Sequence, residues 1–469
     1  LDLELSSSDL AEAILSRSEK ELKDVISSNH NAVNLNIGPN TALGLSAEWP
    51  QGIKILLEAG ADINQRDLNG KLPIDRACEV QCLPSVRLLL EAGCSLDGYD
   101  DICLGISPYM RDYNESITMT IIVGLAERRR RLQKLAEERL PEEILDQLRL
   151  QKDRLPDREA STIYAALMEN NVPVEPALKV TQKDGSSLYH RCSMTCRVAD
   201  QLYQAGFRDI DDANNSQETP LMSVGKWSGL LEIFFDHLEY AQWLINKGAN
   251  SYQRMPRSTA SVLHQLCAST GFELGFLYHR NKYKFSRGTR CHDFLLEMLT
   301  AEDTDECLCS CSLRGCHTVT EMLRSMFQTL EIWQINRKDE PWLNMVLLVL
   351  DYLGPVLTRN SVVCRAIIRF MTFSDMELTH TCCRCGFDTL LEDLDREEIE
   401  EIREEEQPML EELEELVAEF EEKYDELGQP LRDFLLGYWM TRMDEYRSRN
   451  DVPDEDEIRR IRELGVTLF

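Results

Sequence analysis

The 469-residue sequence predicts an all-α fold: a solenoid of stacked helical hairpins in two blocks, with a helical insert between them and a cysteine-rich helical domain after them. Three observations carry this expectation. The segment from Ile53 to Asn64 recurs almost residue for residue from Val86 to Asp97, which sets Gly60 and Gly93 33 positions apart. Elsewhere apolar residues return near helical spacing, as at Leu125, Leu132, Leu135 and Leu140. Cysteines gather at 307, 309, 311 and 316, and again at 382, 383 and 385.

The repeat can be followed in order. An early unit runs from Glu21 to Ile26 and on through Ala32 to Asn34. Thr41 and Leu72 then open short helices upstream of the two glycine-terminated ones, and Ser187, Thr219 and Ser261 open three more. Thr or Ser ahead of a helix caps free N–H groups, Pro suits its first turn, and Gly past its end accepts left-handed backbone. Thr41 to Gly60 and Ser187 to Gly206 both span 19 residues, whereas Thr219 to Gly248 spans 29. The longer unit is expected to hold an insertion of about ten residues, between Gly225 and Phe235.

This 33-residue period, with Thr219-Pro-Leu-Met222 and its variants at the start of the first helix, resembles that of ankyrin-repeat proteins over 10–101 and 184–270. The resemblance implies a partner surface built from hairpin tips and inner helices. On that reading Asp67, Asn69, Asp100, Asp212, Asn214 and Asn215 are the expected contact residues. It also implies that His190 and His264 are structural, each joining backbone groups of adjoining turns. Residues 102–183 are the helical insert, read as two or three helices, and 271–390 are the cysteine-rich domain.

Acidic residues number 82 against 51 basic ones, a net charge of −31. Of this, −16 falls between Leu391 and Leu427, where an apolar stripe including Leu413, Val417 and Phe420 predicts amphipathic helices and argues against a disordered tail. These helices, within 391–469, are expected to break near Gln407 and Pro408. So acidic a chain disfavours nucleic acid and favours a basic protein partner. The composition excludes collagenous and wholly disordered classes, and no apolar run approaches a bilayer span. Leu1 to Glu12 hold acids and no Lys or Arg, the wrong sign for a leader, so the expected setting is intracellular, cytoplasmic or nuclear.

In a reducing compartment, closely spaced cysteines suit a metal better than disulfides. Cys307, Cys309, Cys311 and Cys316, with His380, Cys382, Cys383 and Cys385, offer the soft thiolates and imidazole that tetrahedral zinc prefers. The preferred arrangement joins the clusters, two or three ligands from the first and the rest from the second, stapling a loop of roughly sixty residues. Free buried thiols, a redox disulfide and an iron–sulfur cluster are the competing readings. The string Cys-x-Cys-x-Cys-Ser-x-x-Gly-Cys at 307–316, with Leu378-Thr-His-Thr-Cys-Cys383 and the repeats, resembles a largely uncharacterised fungal group of ankyrin-repeat proteins. That resemblance implies one shared architecture and brings no activity.

Two basic stretches need separate accounts. Arg128 to Arg131 has the composition of a nuclear signal, but acids flank it and a solvated helix face is the preferred reading. His279 to Arg290 interleaves bases with aromatics and is read as a surface loop pairing with the chain's own acids. Phosphate-binding loops, nucleophile elbows and zinc-protease helices are absent from the sequence. The expected function is therefore a non-catalytic interaction scaffold with structural zinc. The alternative is an enzyme of unknown reaction, its site at the Cys/His cluster or between the repeats and the C-terminal helices.

Overall fold

The computed structural model describes residues 2–96, 114–148, 150, 153–180, 184–191, 194–224, 231–279, 291–332, 341–353, 361–382 and 394–450. The chain divides into two compact units, one of Leu1–Val224 with Asp236–Ala249 and one of Gly225–Phe235 with Asn250–Phe469. Helices dominate, in a solenoid-like arrangement followed by a cysteine-rich helical region, and the one sheet described pairs β1 (Asn36–Ile37) with β2 (Asn40–Thr41).

In the first unit, α1 (Asp2–Leu15), α3 (Ala42–Leu45) and α5 (Pro73–Glu79) form one row, and α2 (Glu19–Ser28), α4 (Pro50–Glu58) and α6 (Leu83–Glu91) form another. Each helix rests on its hairpin partner and on the next member of its row, so each unit's apolar face is covered by its neighbour. The sequence signals act as expected at the ends. Thr41 Oγ1 accepts the Gly44 N–H at 3.0 Å, and Gly60 and Gly93 take positive φ just beyond α4 and α6.

Three helices follow: α7 (Glu115–Arg139), α8 (Glu142–Leu148) and α9 (Ala160–Glu169). Leu132, Ala136, Leu140, Ile163 and Leu167 share a core there. The run Arg128–Arg131 of α7 is only partly a solvated face, with Arg130 and Arg131 exposed and Arg128 in the core. Arg128 is buried with a guanidinium nitrogen 3.9 Å from Cys94 Sγ, and Arg131 pairs with Glu175 at 2.5 Å. A helix turns about 100° per residue, so four consecutive side chains must take different sides. Among the described residues the remaining α-helices of this unit are α10 (Cys196–Ala205) and most of α11 (Leu231–Asn246). The segment His279 to Arg290 lies outside the described residues except for His279, and the expected insertion at 225–235 is described only from 231.

The second unit is built on α12 (Val262–His279) and α14 (Thr318–Ile332), which run along each other, with α13 (His292–Leu299) between them in sequence. Gly271 makes the approach possible, since a Cβ there would lie 2.1 Å from the Met322 carbonyl oxygen. Then come α15 (Pro341–Leu353), α16 (Ser361–Asp375) and α17 (Arg396–Leu427).

The acidic stretch corrects one expectation, because α17 is a single 32-residue helix with Pro408 inside it. The proline forfeits a hydrogen bond on an exposed face, while the buried residues Ile399, Leu413, Leu416, Val417 and Phe420 and ion pairs from Arg365 and Arg369 hold the helix. Beyond it, α18 (Leu431–Phe434), a π-helical turn (Leu435–Trp439) and α19 (Met440–Asn450) return to the core. There buried Trp439 donates to Thr372 Oγ1 at 3.0 Å.

Candidate metal centre

The loop bearing the first cysteine cluster is an enlarged form of a turn found twice elsewhere among the described residues. At Asp67 the backbone N–H donates to the Lys71 carbonyl at 2.9 Å, and Oδ1 accepts the N–H groups of Asn69 and Lys71 at 2.8 and 2.9 Å. Asn214 repeats this: its N–H donates to Glu218 at 2.8 Å, and its Oδ1 accepts from Ser216 and Glu218 at 2.9 and 3.0 Å. Asp305 does the same. Its N–H reaches the Cys316 carbonyl at 3.2 Å, and its Oδ1 accepts from Cys307 at 3.0 Å and Cys316 at 2.5 Å.

The first two turns close after four residues and the third after eleven, so seven further residues have been accommodated within one hydrogen-bond frame. Those residues contain Cys309 and Cys311, while the frame itself supplies Cys307 and Cys316. Gly315, at φ +93°, completes the closure, because a Cβ there would fall 1.7 Å from the Asp305 carbonyl oxygen. Burial pushes the Asp305 carboxyl up to about 7, with the charge of Cys307 adding to the effect.

Histidine anchors the turn, as expected of the repeat positions. His190 Nδ1 lies 2.9 Å from the Ser187 nitrogen and its Nε2 2.8 Å from the Glu218 carbonyl oxygen. His264 Nδ1 lies 2.8 Å from Ser261 Oγ and its Nε2 2.9 Å from the Cys316 carbonyl oxygen. Burial lowers both imidazoles and keeps them neutral, so Nδ1 accepts from the backbone and Nε2 donates.

The second cluster follows α16. His380 stands over Phe370 and Phe373, with ring centroids 5.4 and 4.7 Å away, and Cys382 comes two residues later. Six of the expected ligands meet here in two overlapping groups: Cys309, Cys311, His380 and Cys382, and Cys307, Cys316 and Cys382. Cys383 and Cys385 lie outside the described residues.

The Cys382 sulfur is 3.4 Å from that of Cys311, 3.5 Å from that of Cys316 and 3.7 Å from His380 Nδ1, and Cys311 and Cys316 are 3.6 Å apart. Tetrahedral zinc with Zn–S near 2.3 Å and Zn–N near 2.0 Å sets sulfurs about 3.8 Å apart and sulfur from nitrogen about 3.6 Å. The donors are thus at the spacings that ligands of tetrahedral zinc take. A covalent S–S bond would need about 2.05 Å.

The thiols also share protons. Cys307 is pulled down to about 4, first by its hydrogen bond with Cys316 and then by that with Cys382. Cys309 is lowered chiefly by its hydrogen bond with Cys311, while Cys311, Cys316 and Cys382 are raised as the partners that keep the proton. Thiolates that form readily are what a soft cation displaces protons to reach.

Backbone and acidic helix brace the cluster. The Thr381 N–H points to Cys309 Sγ at 3.3 Å, and the Cys311 N–H lies 3.5 Å from the same sulfur. Arg369 donates from Nε to the Ser310 carbonyl at 3.0 Å and is clasped by Glu414, and Arg403 donates to the Leu308 carbonyl. Glu406 accepts the Thr379 N–H at 2.9 Å. Sequence reasoning missed His264, Gly315 and the two arginines as parts of this site. The Asp-x-Cys start, matching Asp67-x-Asn69 and Asn214-x-Ser216, was the available signal.

The expected partner-contact residues take varied positions. Asp67 is 7% exposed, its carboxylate paired with Arg76 at 2.5 Å. Asn69 and Asn215 are exposed, and Asn214 is half-buried in its turn. Asp212 is half-buried beside Arg154 at 3.3 Å, and Asp100 lies outside the described residues. Leu68, at the tip beside Asn69, is 71% exposed.

No family model matches the chain. A protein of Rickettsia bellii (strain RML369-C) named as an ankyrin repeat protein is 40% identical over 88 residues, which is 17% of this chain and 37% of that protein. This chain therefore spans little more than a third of that relative's length. Among solved structures, the human ASB11 ankyrin repeat domain aligns with 54% of this chain and 89% of its own at 17% identity, with a TM-score of 0.27. Among the described residues no helix is long and apolar enough to cross a membrane. The comparisons place the chain in a distant relationship to ankyrin-repeat proteins, and the structure adds a Cys/His cluster fit to hold a metal.

Proposed function

We propose that the protein is a non-catalytic protein–protein interaction scaffold of ankyrin repeats whose C-terminal helical region is stabilised by structural zinc. The observation that carries this is the burial of the donors: Cys309, Cys311, Cys316 and Cys382 are each at most 2% exposed. A catalytic zinc keeps one position open to water and substrate, whereas buried Cys309, Cys311 and Cys382 with half-buried His380 offer one ion four protein donors. An ion there would supply tetrahedral cross-linking of the 307–316 loop to the segment after α16. The recurring turn at Asp67 and Asn214, with the His190 anchor, supports the ankyrin reading. The string at 307–316 supports kinship with the fungal group.

The partner surface belongs at the hairpin tips, where Leu68, Asn69 and Asn215 are exposed. An apolar tip flanked by amides suits a protein contact. The acidity of the chain favours a basic partner by speeding encounter. A cluster of reduced thiols fits an intracellular setting.

Metal analysis of the intact chain and affinity capture with mass spectrometry test the reading together. Zinc is expected to co-purify, and Cys309→Ser to lower both the zinc content and the thermal stability. Leu68→Asp with Asn69→Ala should lose captured partners while keeping the fold. A Cys309→Ser chain that keeps its fold but loses a catalytic activity would overturn the scaffold reading.

A further inference from the structure

The described cluster has more donors than one tetrahedral ion can use. Six are present, five sulfurs and one imidazole, and they sort into a group of four and a group of three with Cys382 in both. A single ion held by Cys309, Cys311, His380 and Cys382 leaves Cys307 and Cys316 idle. Yet those two are the residues whose N–H groups Asp305 fixes in place, and Cys316 Sγ sits 3.5 Å from the shared Cys382 sulfur. Two separate tetrahedral ions would need eight donors. A thiolate has lone pairs enough to bind two cations at once, and sharing it reduces that number.

We propose that the site is a dinuclear zinc cluster in which the Cys382 thiolate bridges two ions. One ion takes Cys309, Cys311 and His380 besides the bridge, and the other takes Cys307 and Cys316 besides it, so the six described donors fill seven of the eight positions. Charge permits the pair: when all five thiols lose their protons to bind metal, two divalent ions bring their −5 to −1. Cys311, 3.6 Å from Cys316 and 3.4 Å from Cys382, borders the second group too, so both ions sit among buried sulfur. The proposal rests on the metal-scaffold reading above and specifies its stoichiometry and its central ligand.

Native mass spectrometry of the intact, reduced chain is expected to show two zinc ions per chain. Exchange for ¹¹³Cd should give two resonances with scalar coupling between them, which requires a common sulfur. Cys307→Ser and Cys309→Ser should each retain one ion, whereas Cys382→Ser should lose both. The two measurements on the unmodified chain stand even if a variant fails to fold. One ion per chain, or two cadmium resonances with no coupling, overturns the bridge and leaves the structural-zinc reading intact. A chain that binds no divalent ion overturns both.

Discussion

The Nε2 of His264 lies 2.9 Å from the carbonyl oxygen of Cys316, so the histidine that caps α12 also holds a metal-cluster residue by its backbone. One imidazole thereby connects the repeat signature to the cysteine loop.

His264→Ala should accordingly act on two readouts. It removes the partner of a buried carbonyl and frees the Ser261 cap, at a cost of about 1–3 kcal/mol. It should also speed zinc transfer to a chromogenic chelator several-fold. His190→Ala removes the same two bonds around Ser187 and Glu218 and should cost similar stability with no change in zinc release. Equal release rates in the two variants would contradict the link.

The closure of the loop predicts opposite outcomes for two small changes. Gly315→Ala places a methyl 1.7 Å from the Asp305 carbonyl oxygen at a φ that favours glycine, so the turn cannot close and zinc content should fall to near zero. Asp305→Asn keeps an acceptor for the Cys307 and Cys316 N–H groups, the role Asn214 already fills, and should hold its metal. Asp305→Ala leaves those donors without their acceptor and should lose about 2 kcal/mol in urea unfolding.

That Asn214 and Asp305 share a role explains what the sequence revealed and what it hid. The repeats were legible because Gly60 and Gly93 keep a strict offset and because Thr41 and Ser187 open their helices with caps. The cysteine loop was legible as a donor set, yet its descent from the same turn was not. Seven extra residues break the period, and His317-Thr318-Val319 replaces the Thr-Pro-Leu start. In α17 the apolar stripe was legible and its continuity was not. A proline reads as a break, although on an exposed face it forfeits one hydrogen bond that Leu413 and Phe420 outweigh by burial. Arg128 was hidden for a related reason: charge in a sequence carries no mark of burial.

Arg369 should matter more than its neighbour Arg365. Its side chain is 5% exposed, bonded to both Ser310 and Glu414, while that of Arg365 is 34% exposed against Glu421 and Asp425. Arg369→Met leaves the Ser310 carbonyl without this donor and should cost about 2–3 kcal/mol with faster zinc release. Arg365→Met should cost about 1 kcal/mol or less, because water screens that pair. Chemical unfolding monitored through Trp439 compares them, and equal losses would place the bracing elsewhere.

The first unit should show an unusual response to mild acid. Asp209 is fully buried 3.0 Å from Arg154, a guanidinium it shares with Glu159 and Asp212. Burial first, and then the nearby charge of Asp157, push Asp209 up to about 7; burial pushes Asp157 up to about 6. Unfolded aspartates titrate near 4, so between roughly pH 4 and 7 the native state binds these protons more tightly than the unfolded chain does. The stabilisation from protonation is complete below about pH 4 and is lost as pH rises through these folded-state values. Thermal unfolding should therefore show Asp209 and Asp157 adding stability to this unit from pH 7.5 to 5.5, against the opposite contribution of buried His190. Asp209→Asn removes the titrating group while keeping its size, so the variant should gain on the parent at pH 7.5 relative to pH 5.5, by a few degrees in Tm. Parallel profiles for the two chains would mean that Arg154 holds Asp209 ionised throughout, with its charge outweighing burial.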